Sequence, residues 1–335
     1  MTEVSVIIPT HNRCQLLELA LRSVFEQQNV AFEVVVVDDG STDETCRLLR
    51  SLGDRVRVVR HERPGGVSAA RNRGIVEARG RWVAFLDDDD LWAPDKLACQ
   101  LEALRLSDRQ WAYTGAVDIT TSHRVLAGEA PAPPDRLVKE LMARNMVPAG
   151  ASNVIVRKDW LPSPPVFDSS LYHSADWDLW IRLARQGPPA CVPKPLVAYR
   201  FHAGSASLDL PGMFAEAAEI ERRHGAVVDR NAFNRHLGRL AKRAGWPRAA
   251  LRHYSRAAAG DRRYLVREFA PDVYRLAVEV AWSRVGRWGI KRRAPGPRRD
   301  PHKKWKDEAQ LWVDRLVRAE RNTDPPSWGT DDRVI

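Results

Sequence analysis

Trp82-Val83-Ala84-Phe85-Leu86-Asp87-Asp88-Asp89-Asp90 sets five apolar residues directly before four consecutive aspartates. A short apolar run of this kind reads as a buried strand, and the aspartates as the loop into which it opens. Four like charges in one short loop repel one another, and turn chemistry needs only one or two carboxylates. A divalent cation relieves that repulsion, and hard oxygen donors suit Mg2+ or Mn2+. If the strand's period of two continues into the loop, Asp87 and Asp89 face one side and Asp88 and Asp90 the other, so only one pair faces a site. The plainer alternatives are a solvated acidic loop, or Asp90 capping a helix that starts near Pro94.

Outward from this stretch, the first hundred residues alternate short apolar runs with amphipathic segments, the pattern of βαβ units around a mostly parallel sheet. The spacing predicts strands over 4–9, 34–37, 56–59 and 82–86. Helices are expected from just after Asn12 to near Gln28, from a Ser41 or Thr42 cap through Arg50, and over 67–78. In open α/β sheets the loops after the strands bind ligands. Proline-rich stretches at 130–134, 162–165 and 187–195 interrupt the middle, which still offers a strand over 153–156 and a helix over 178–185. From Met213 the pattern is helical, broken at Gly260 and 294–297. One helix–turn–helix unit is hinged at Gly245-Trp246-Pro247, with no second copy. The expected organisation is an α/β domain over 1–212 followed by a helical, basic region over 213–335.

The 335 residues, 44% hydrophobic and 29% charged, exclude disorder, a collagen and a disulfide miniprotein. Cys14, Cys46, Cys99 and Cys191 form no CxxC pair, so no zinc site or disulfide framework is written, and reduced thiols in a cytoplasm are expected. Neither a cleavable leader nor an apolar run of bilayer-spanning length is read. The formal charge of +10 is uneven: residues 1–225 carry 27 Lys and Arg against 30 Asp and Glu, and residues 226–335 carry 26 against 13. A basic tail leaves open nucleic acid, an anionic membrane surface, an acidic partner, or a merely solvated helical face.

Three further segments carry chemistry. In Asp38-Asp39-Gly40-Ser41-Thr42-Asp43, after the second strand, a carboxylate can accept a hydrogen bond from a base imide or from ribose hydroxyls; the plainer reading is a helix-capping turn. Asp176 and Asp178, in Ser174-Ala175-Asp176-Trp177-Asp178-Leu179-Trp180, precede an amphipathic helix. Asp178 as its N-cap leaves Asp176 free to act as a general base. Tyr199-Arg200-Phe201-His202 follows the last strand-like segment, where a lone His is ordinarily a satisfied polar group.

Together, in this order over residues 3–205, these segments resemble a family 2 glycosyltransferase of GT-A fold, a single Rossmann-like α/β domain that binds a nucleotide-sugar. Val6-Ile7-Ile8-Pro9-Thr10-His11-Asn12-Arg13 resembles the family's opening strand and first nucleotide loop, which implies donor contacts from Pro9, Thr10, Asn12 and Arg13. The Asp38–Asp43 stretch is similar to the uridine-binding turn, with Asp38 beside Asp39 and Asp39 holding the uracil ring. Gly66-Val67-Ser68-Ala69-Ala70-Arg71-Asn72-Arg73-Gly74 resembles the helix that lies along the nucleotide, which adds Arg71. The four aspartates followed by Pro94 resemble the DxD segment. Counting back five residues from Pro94 implies Asp89 as the metal-binding carboxylate and Asp87 as its partner toward ribose and diphosphate; Asp88, counted with the donor contacts, replaces the usual small residue. The Asp176 segment resembles Glu-Asp-x-Asp-Leu-Trp, whose first Asp is the catalytic base; here that is Asp176, with Ala175 in place of the Glu. The Tyr199–His202 stretch, with Ser205 and Ser207, resembles a segment that closes over the diphosphate, which implies a metal or phosphate role for His202.

The resemblance implies an Mn2+- or Mg2+-dependent, inverting transfer from a UDP- or dTDP-sugar to a glycan, lipid-linked or small-molecule acceptor. A polysaccharide or other cell-surface glycan is the first expected product, and a modified natural product or peptide the second. After the core, Ala277, Ala281, Val285 and Trp288 form the apolar seam of one basic helix, and Ala309, Trp312, Val313 and Leu316 that of another. These seams leave open packing on the catalytic domain, a homo-oligomer, or peripheral contact with the inner face of the membrane, where lipid-linked acceptors reside. A nucleic-acid-binding protein is disfavoured, because no helix-turn-helix signature, zinc spacing or aromatic RNA-binding pattern accompanies the charge. A nucleotidylyltransferase lacks its glycine-rich loop after the first strand. An inactive scaffold would have lost Asp89 or Asp176, and both are present.

Overall fold

Val34-Val35-Val36-Val37 is β-branched throughout and has no polar side chain, so it favours a strand buried on both faces. In the computed structural model, which describes residues 2–202, 205, 208–243, 246–259 and 302–322, these valines lie inside β2 (Phe32–Asp38). β2 runs parallel to β1 (Val4–Thr10) and to β3 (Arg57–Arg60), and β1 pairs on its other side with parallel β4 (Trp82–Phe85). Beyond β4 the sheet reverses. β8 (Ile155–Arg157) is antiparallel to β4, and β6 (Trp111–Ile119) is antiparallel to β8. β9 (Ala190–Arg200) lies parallel to β6, and β5 (Leu91–Trp92) completes the order β3-β2-β1-β4-β8-β6-β9-β5; β7 (Val125–Glu129) pairs with β6 off that path. Thr10 is in register with Asp38 and Ile7 with Phe85, so the loops after β1, β2 and β4 open side by side.

The period of two divides the core into layers. Ile7, Val83 and Phe85 pack with α3 (Val67–Glu77) and α6 (Ala175–Gln186). Val6, Ile8, Val36 and Ala84 face α1 (Cys14–Phe25), α2 (Thr45–Ser51) and α4 (Lys96–Ser107) on the other side. The first of these clusters continues through α7 (Leu210–His224), α8 (Arg230–Arg243) and α9 (Pro247–Ala259), where Ala217, Leu237 and Ala250 are fully buried. The short α5 (Pro134–Glu140) adds Leu137 to it.

Three local expectations are corrected. α2 has Glu44 at its N-cap position with no side-chain cap; the Ser41 hydroxyl instead accepts the Asn12 N–H at 2.9 Å, and the Thr42 N–H donates to the Asn12 side chain at 2.7 Å. α6 begins at Ala175, so Ser174 stands at its N-cap and Asp178 lies within the first turn. There Asp178 accepts from Arg182 at 2.8 Å and pairs with His224 at 2.8 Å, tying α6 to α7. Asp90 caps no helix: α4 starts behind Asp95, and Asp90 accepts the Arg200 N–H at 2.9 Å.

The helix Lys303–Asn322 returns to the sheet. Ala309, Val313 and Leu316 are buried against Leu91, Val117 and Ala198. Gln310 accepts the Val125 N–H at 2.8 Å and donates to the His123 carbonyl at 3.1 Å, which ties the helix to the start of β7. The Trp305 ring occupies the space that a Cβ on Gly115 would need. This helix's apolar seam is therefore taken up by the domain itself. The helix expected over 277–293 lies outside the described residues. No described helix is long and apolar enough to cross a membrane.

Candidate functional site

The four aspartates alternate as the strand period predicts. Asp88 is 4% and Asp90 0% exposed, whereas Asp87 and Asp89 keep 30% and 12% of their side-chain surface. Burial, reinforced by the neighbouring Asp89, pushes the Asp88 carboxyl up to about 7, against the pull of Arg13 and Thr10. Burial and the charges of Asp89 and Asp87 likewise raise Asp90 well above the ordinary carboxylate range. Asp88, expected among the donor contacts, turns inward: it accepts from the Thr10 hydroxyl at 2.7 Å and from Arg13 at 3.0 Å. Arg13 also reaches Asp89 at 2.8 Å, so one guanidinium bridges the two carboxylates. Arg200, to which the sequence assigns no role, donates from Nε to the Asp89 carbonyl at 2.8 Å; with its N–H on Asp90, it pins the loop to the end of β9.

The first two loops are fastened to each other. Pro9 is buried in β1 opposite Val37, and Asn12 adopts φ +54°. Its side chain bonds the Thr42 and Asp43 amides, so Asn12 shapes the turn after β2. Asp38 accepts the Ser41 N–H at 2.9 Å and is paired with Arg60. Asp39 accepts from the Gly65 and Gly66 amides at 2.8 and 2.7 Å and from His61 at 2.6 Å. Burial works to raise the Asp39 carboxyl, but the Gly65 amide, His61 and the Gly66 amide outweigh it and hold it below its ordinary value. His61 was not anticipated.

Asp176 joins the acidic loop from the opposite strand group. It sits in the first turn of α6 with its Oδ1 on the Trp177 N–H at 2.7 Å. Burial raises its pKa to about 6, while Arg71 and the Trp177 amide pull down, Asp87 pushes up and an Asn145 hydrogen bond pulls down. Arg71, buried on α3, pairs with Asp87 and lies over the Phe167 ring, so it serves both carboxylates. A short turn, Gly150–Asn153, completes this corner. The Ser152 hydroxyl accepts the Asp87 N–H at 3.0 Å, and Gly150 at φ +51° lies so near Asp176 that a Cβ there would stand 2.8 Å from its Oδ2.

Of the three expected metal ligands, Asp89 and His202 come together, with Oδ2 and Nε2 2.9 Å apart, while Asp87 turns to Arg71. Among the described residues no group of three His, Cys, Asp or Glu converges on one point. Two neighbouring ligands of an octahedral Mg2+ or Mn2+, each at about 2.1 Å, stand about 3.0 Å apart, and such ions take few protein ligands beside substrate phosphates and water. The Asp89–His202 pair fits that requirement.

The family model described as Glycosyl transferase family 2 matches residues 5–126, which include the acidic loop and the Asp38–Asp43 turn. Over those residues the chain is similar to family 2 glycosyltransferases. The putative teichuronic acid biosynthesis glycosyltransferase TuaG of Bacillus subtilis is 40% identical over 115 residues, which cover 33% of this chain and 46% of TuaG. The chain thus matches less than half of that relative's length. Among solved structures, S. aureus TarS in complex with UDP superposes with a TM-score of 0.51 at 21% identity, covering 72% of this chain and 71% of TarS. The mannosyltransferase PcManGT from Pyrobaculum calidifontis, in complex with GDP-Man and Mn2+, has a TM-score of 0.50 at 20% identity and covers 95% of this chain and 87% of its own. The sheet order and these superpositions establish the fold as the GT-A fold expected above.

Proposed function

We propose that the protein is a metal-dependent, inverting glycosyltransferase that moves a sugar from a UDP- or dTDP-linked donor to an acceptor hydroxyl, in the assembly of a cell-surface polysaccharide at the cytoplasmic face of the membrane. The observation that carries this reading is the meeting of Asp176 with the acidic loop across Arg71 and the Gly150–Asn153 turn. The name of TuaG, the UDP bound to TarS and the Mn2+ bound to PcManGT support it.

Transfer breaks the C1–O bond to a diphosphate, so negative charge develops on the leaving group. When bound, Mn2+ or Mg2+ held by Asp89 and His202 supplies the charge that stabilises it. Asp39 holds the base end of the donor. A carboxylate has about four acceptor positions; three are used by Gly65, Gly66 and His61, and the fourth suits the imide N–H of uracil or thymine. Arg71 keeps Asp87 in place and favours the ionised form of Asp176. As a carboxylate, Asp176 takes the proton of the acceptor hydroxyl while that oxygen attacks C1. The diphosphate leaves from the other face, and a single displacement inverts the anomeric carbon.

Gly150→Ala is expected to press on the Asp176 carboxyl and to strain a left-handed position. Because a misplacement of about 1 Å can cost roughly a hundredfold, kcat should fall by about that factor. Nucleotide affinity should stay unchanged, which steady-state kinetics beside calorimetry reads directly.

The reading is tested by calorimetric titration with UDP, dTDP and GDP, each with Mn2+ and with a chelator. Metal-dependent binding of UDP or dTDP is the expected result. Silence from all three nucleotides in a folded sample overturns the reading.

A further inference from the structure

The start of α7 and the exposed side of α9 enclose a groove of about 460 Å³ that the proposed reaction does not use. Its walls are apolar, with Leu210, Phe214 and Trp246 among them, and Arg252, His253 and Arg256 complete the lining. Phe214 and Trp246 are 39% and 44% exposed, and Leu251 beside them is 41% exposed, a concentration of apolar surface that a soluble face ordinarily avoids. α9 carries Arg248, Arg252 and Arg256 and no carboxylate. Among the described residues neither Arg252 nor Arg256 has an ion-pair partner, whereas His253 is fixed on Asn234 at 3.0 Å. With two arginines and no carboxylate in its lining, the groove is electropositive as well as apolar.

We propose that this groove binds a single long-chain lipid phosphate, with the chain along the Leu210–Trp246 wall and the phosphate on Arg252 and Arg256. Guanidinium groups recognise phosphate through paired, charge-assisted hydrogen bonds, and the volume suits one ligand. A flat bilayer does not fill a concavity, and a nucleic acid has no chain for the apolar wall. The groove is tied to the acceptor end of the site. Leu208 and Leu210, both lining residues, flank Asp209; Asp209 accepts from His173 at 2.9 Å, and His173 lies three residues before Asp176. On the transferase reading above, on which this assignment rests, the lipid phosphate is the anchor of the acceptor.

The experiment titrates the full chain with farnesyl phosphate below its aggregation limit, with farnesol, with inorganic phosphate and with phosphatidylglycerol vesicles. The R252Q/R256Q double variant and, separately, the exposed-site variant Trp246→Ser follow under the same conditions, each checked by circular dichroism. Farnesyl phosphate should bind at least about tenfold more tightly than farnesol or inorganic phosphate, and the double variant should lose about that factor. Trp246→Ser should weaken both farnesyl compounds and leave inorganic phosphate unaffected. Equal binding of farnesol and farnesyl phosphate, or unchanged binding by the folded double variant, overturns the proposal. So does binding to vesicles with none to monomeric farnesyl phosphate, which assigns the surface to a membrane instead. UDP with Mn2+ is titrated into the same samples: intact nucleotide binding without lipid-phosphate binding removes only this inference, whereas nucleotide silence removes the transferase reading itself.

Discussion

Asp176→Asn is expected to lower kcat by about a hundred- to ten-thousand-fold, the usual weight of a general base, and to leave nucleotide binding unchanged. The amide keeps the shape of the side chain and can still accept the Trp177 N–H through its oxygen, so α6 keeps its first turn. It cannot take a proton. The pH profile gives an independent reading. Burial lifts the Asp176 carboxyl to about 6, and an acid with that pKa is about nine-tenths ionised at pH 7. The reactive form is the carboxylate, so kcat/KM should hold above pH 7 and fall as pH drops through about 6, approaching a tenfold loss per unit. The Asn variant should show no such limb in its residual activity.

Asp89→Ala is expected to abolish metal-dependent nucleotide binding and to cost about a hundred- to a thousandfold in kcat/KM, comparable to losing a principal stabiliser of transition-state charge. Asp89 is where Arg13, at 2.8 Å, and His202, at 2.9 Å, meet. Without it, the histidine has no carboxylate partner for the ion. The effect on the fold should have the opposite sign. Asp89 is a principal like charge raising Asp88 and Asp90, so its removal relieves both buried neighbours. Thermal melting in a chelator should therefore show a midpoint equal to or above that of the parent protein, which separates loss of binding from loss of structure.

The parallel half of the sheet is legible in the sequence because its signals are local. Val34–Val37 and the run ending at Leu86 are strands by composition, and the alternation that exposes Asp87 and Asp89 follows from the strand period. The reversed half is not legible. The strand expected over 153–156 appears as β8, but the pairing of β8, β6, β9 and β5 joins residues far apart in the chain, and the proline-rich stretch 187–195, which runs into β9, has no period to read. Within the candidate site, His202 gains a role only through the family resemblance, whereas Asp87, Asp89 and Asp176 stand out by residue type and order. Gly150 and Ser152 do not, since Ala149-Gly150-Ala151-Ser152-Asn153 is a run of small residues whose meaning appears only when α6 and the loop after β4 are brought to either side of it. Lys96 is a charge that the fold hides. It is fully buried over the Trp92 ring with Gln100 as its hydrogen-bond partner, and burial lowers its pKa well below the usual range, which nothing in the sequence around it signals. Ser41 and Asp178 carry the chemistry of helix caps, but Asn12 claims the first, and Arg182 one turn along α6 with His224 of α7 claims the second.

The most direct test is one calorimetric series, UDP with Mn2+ titrated into the parent protein, Asp176→Asn and Asp89→Ala. The account predicts equal affinity for the first two and no metal-dependent binding by the third. Asp89→Ala binding like the parent, or Asp176→Asn losing as much affinity as Asp89→Ala, would contradict the division of labour between the two carboxylates on which the mechanism rests.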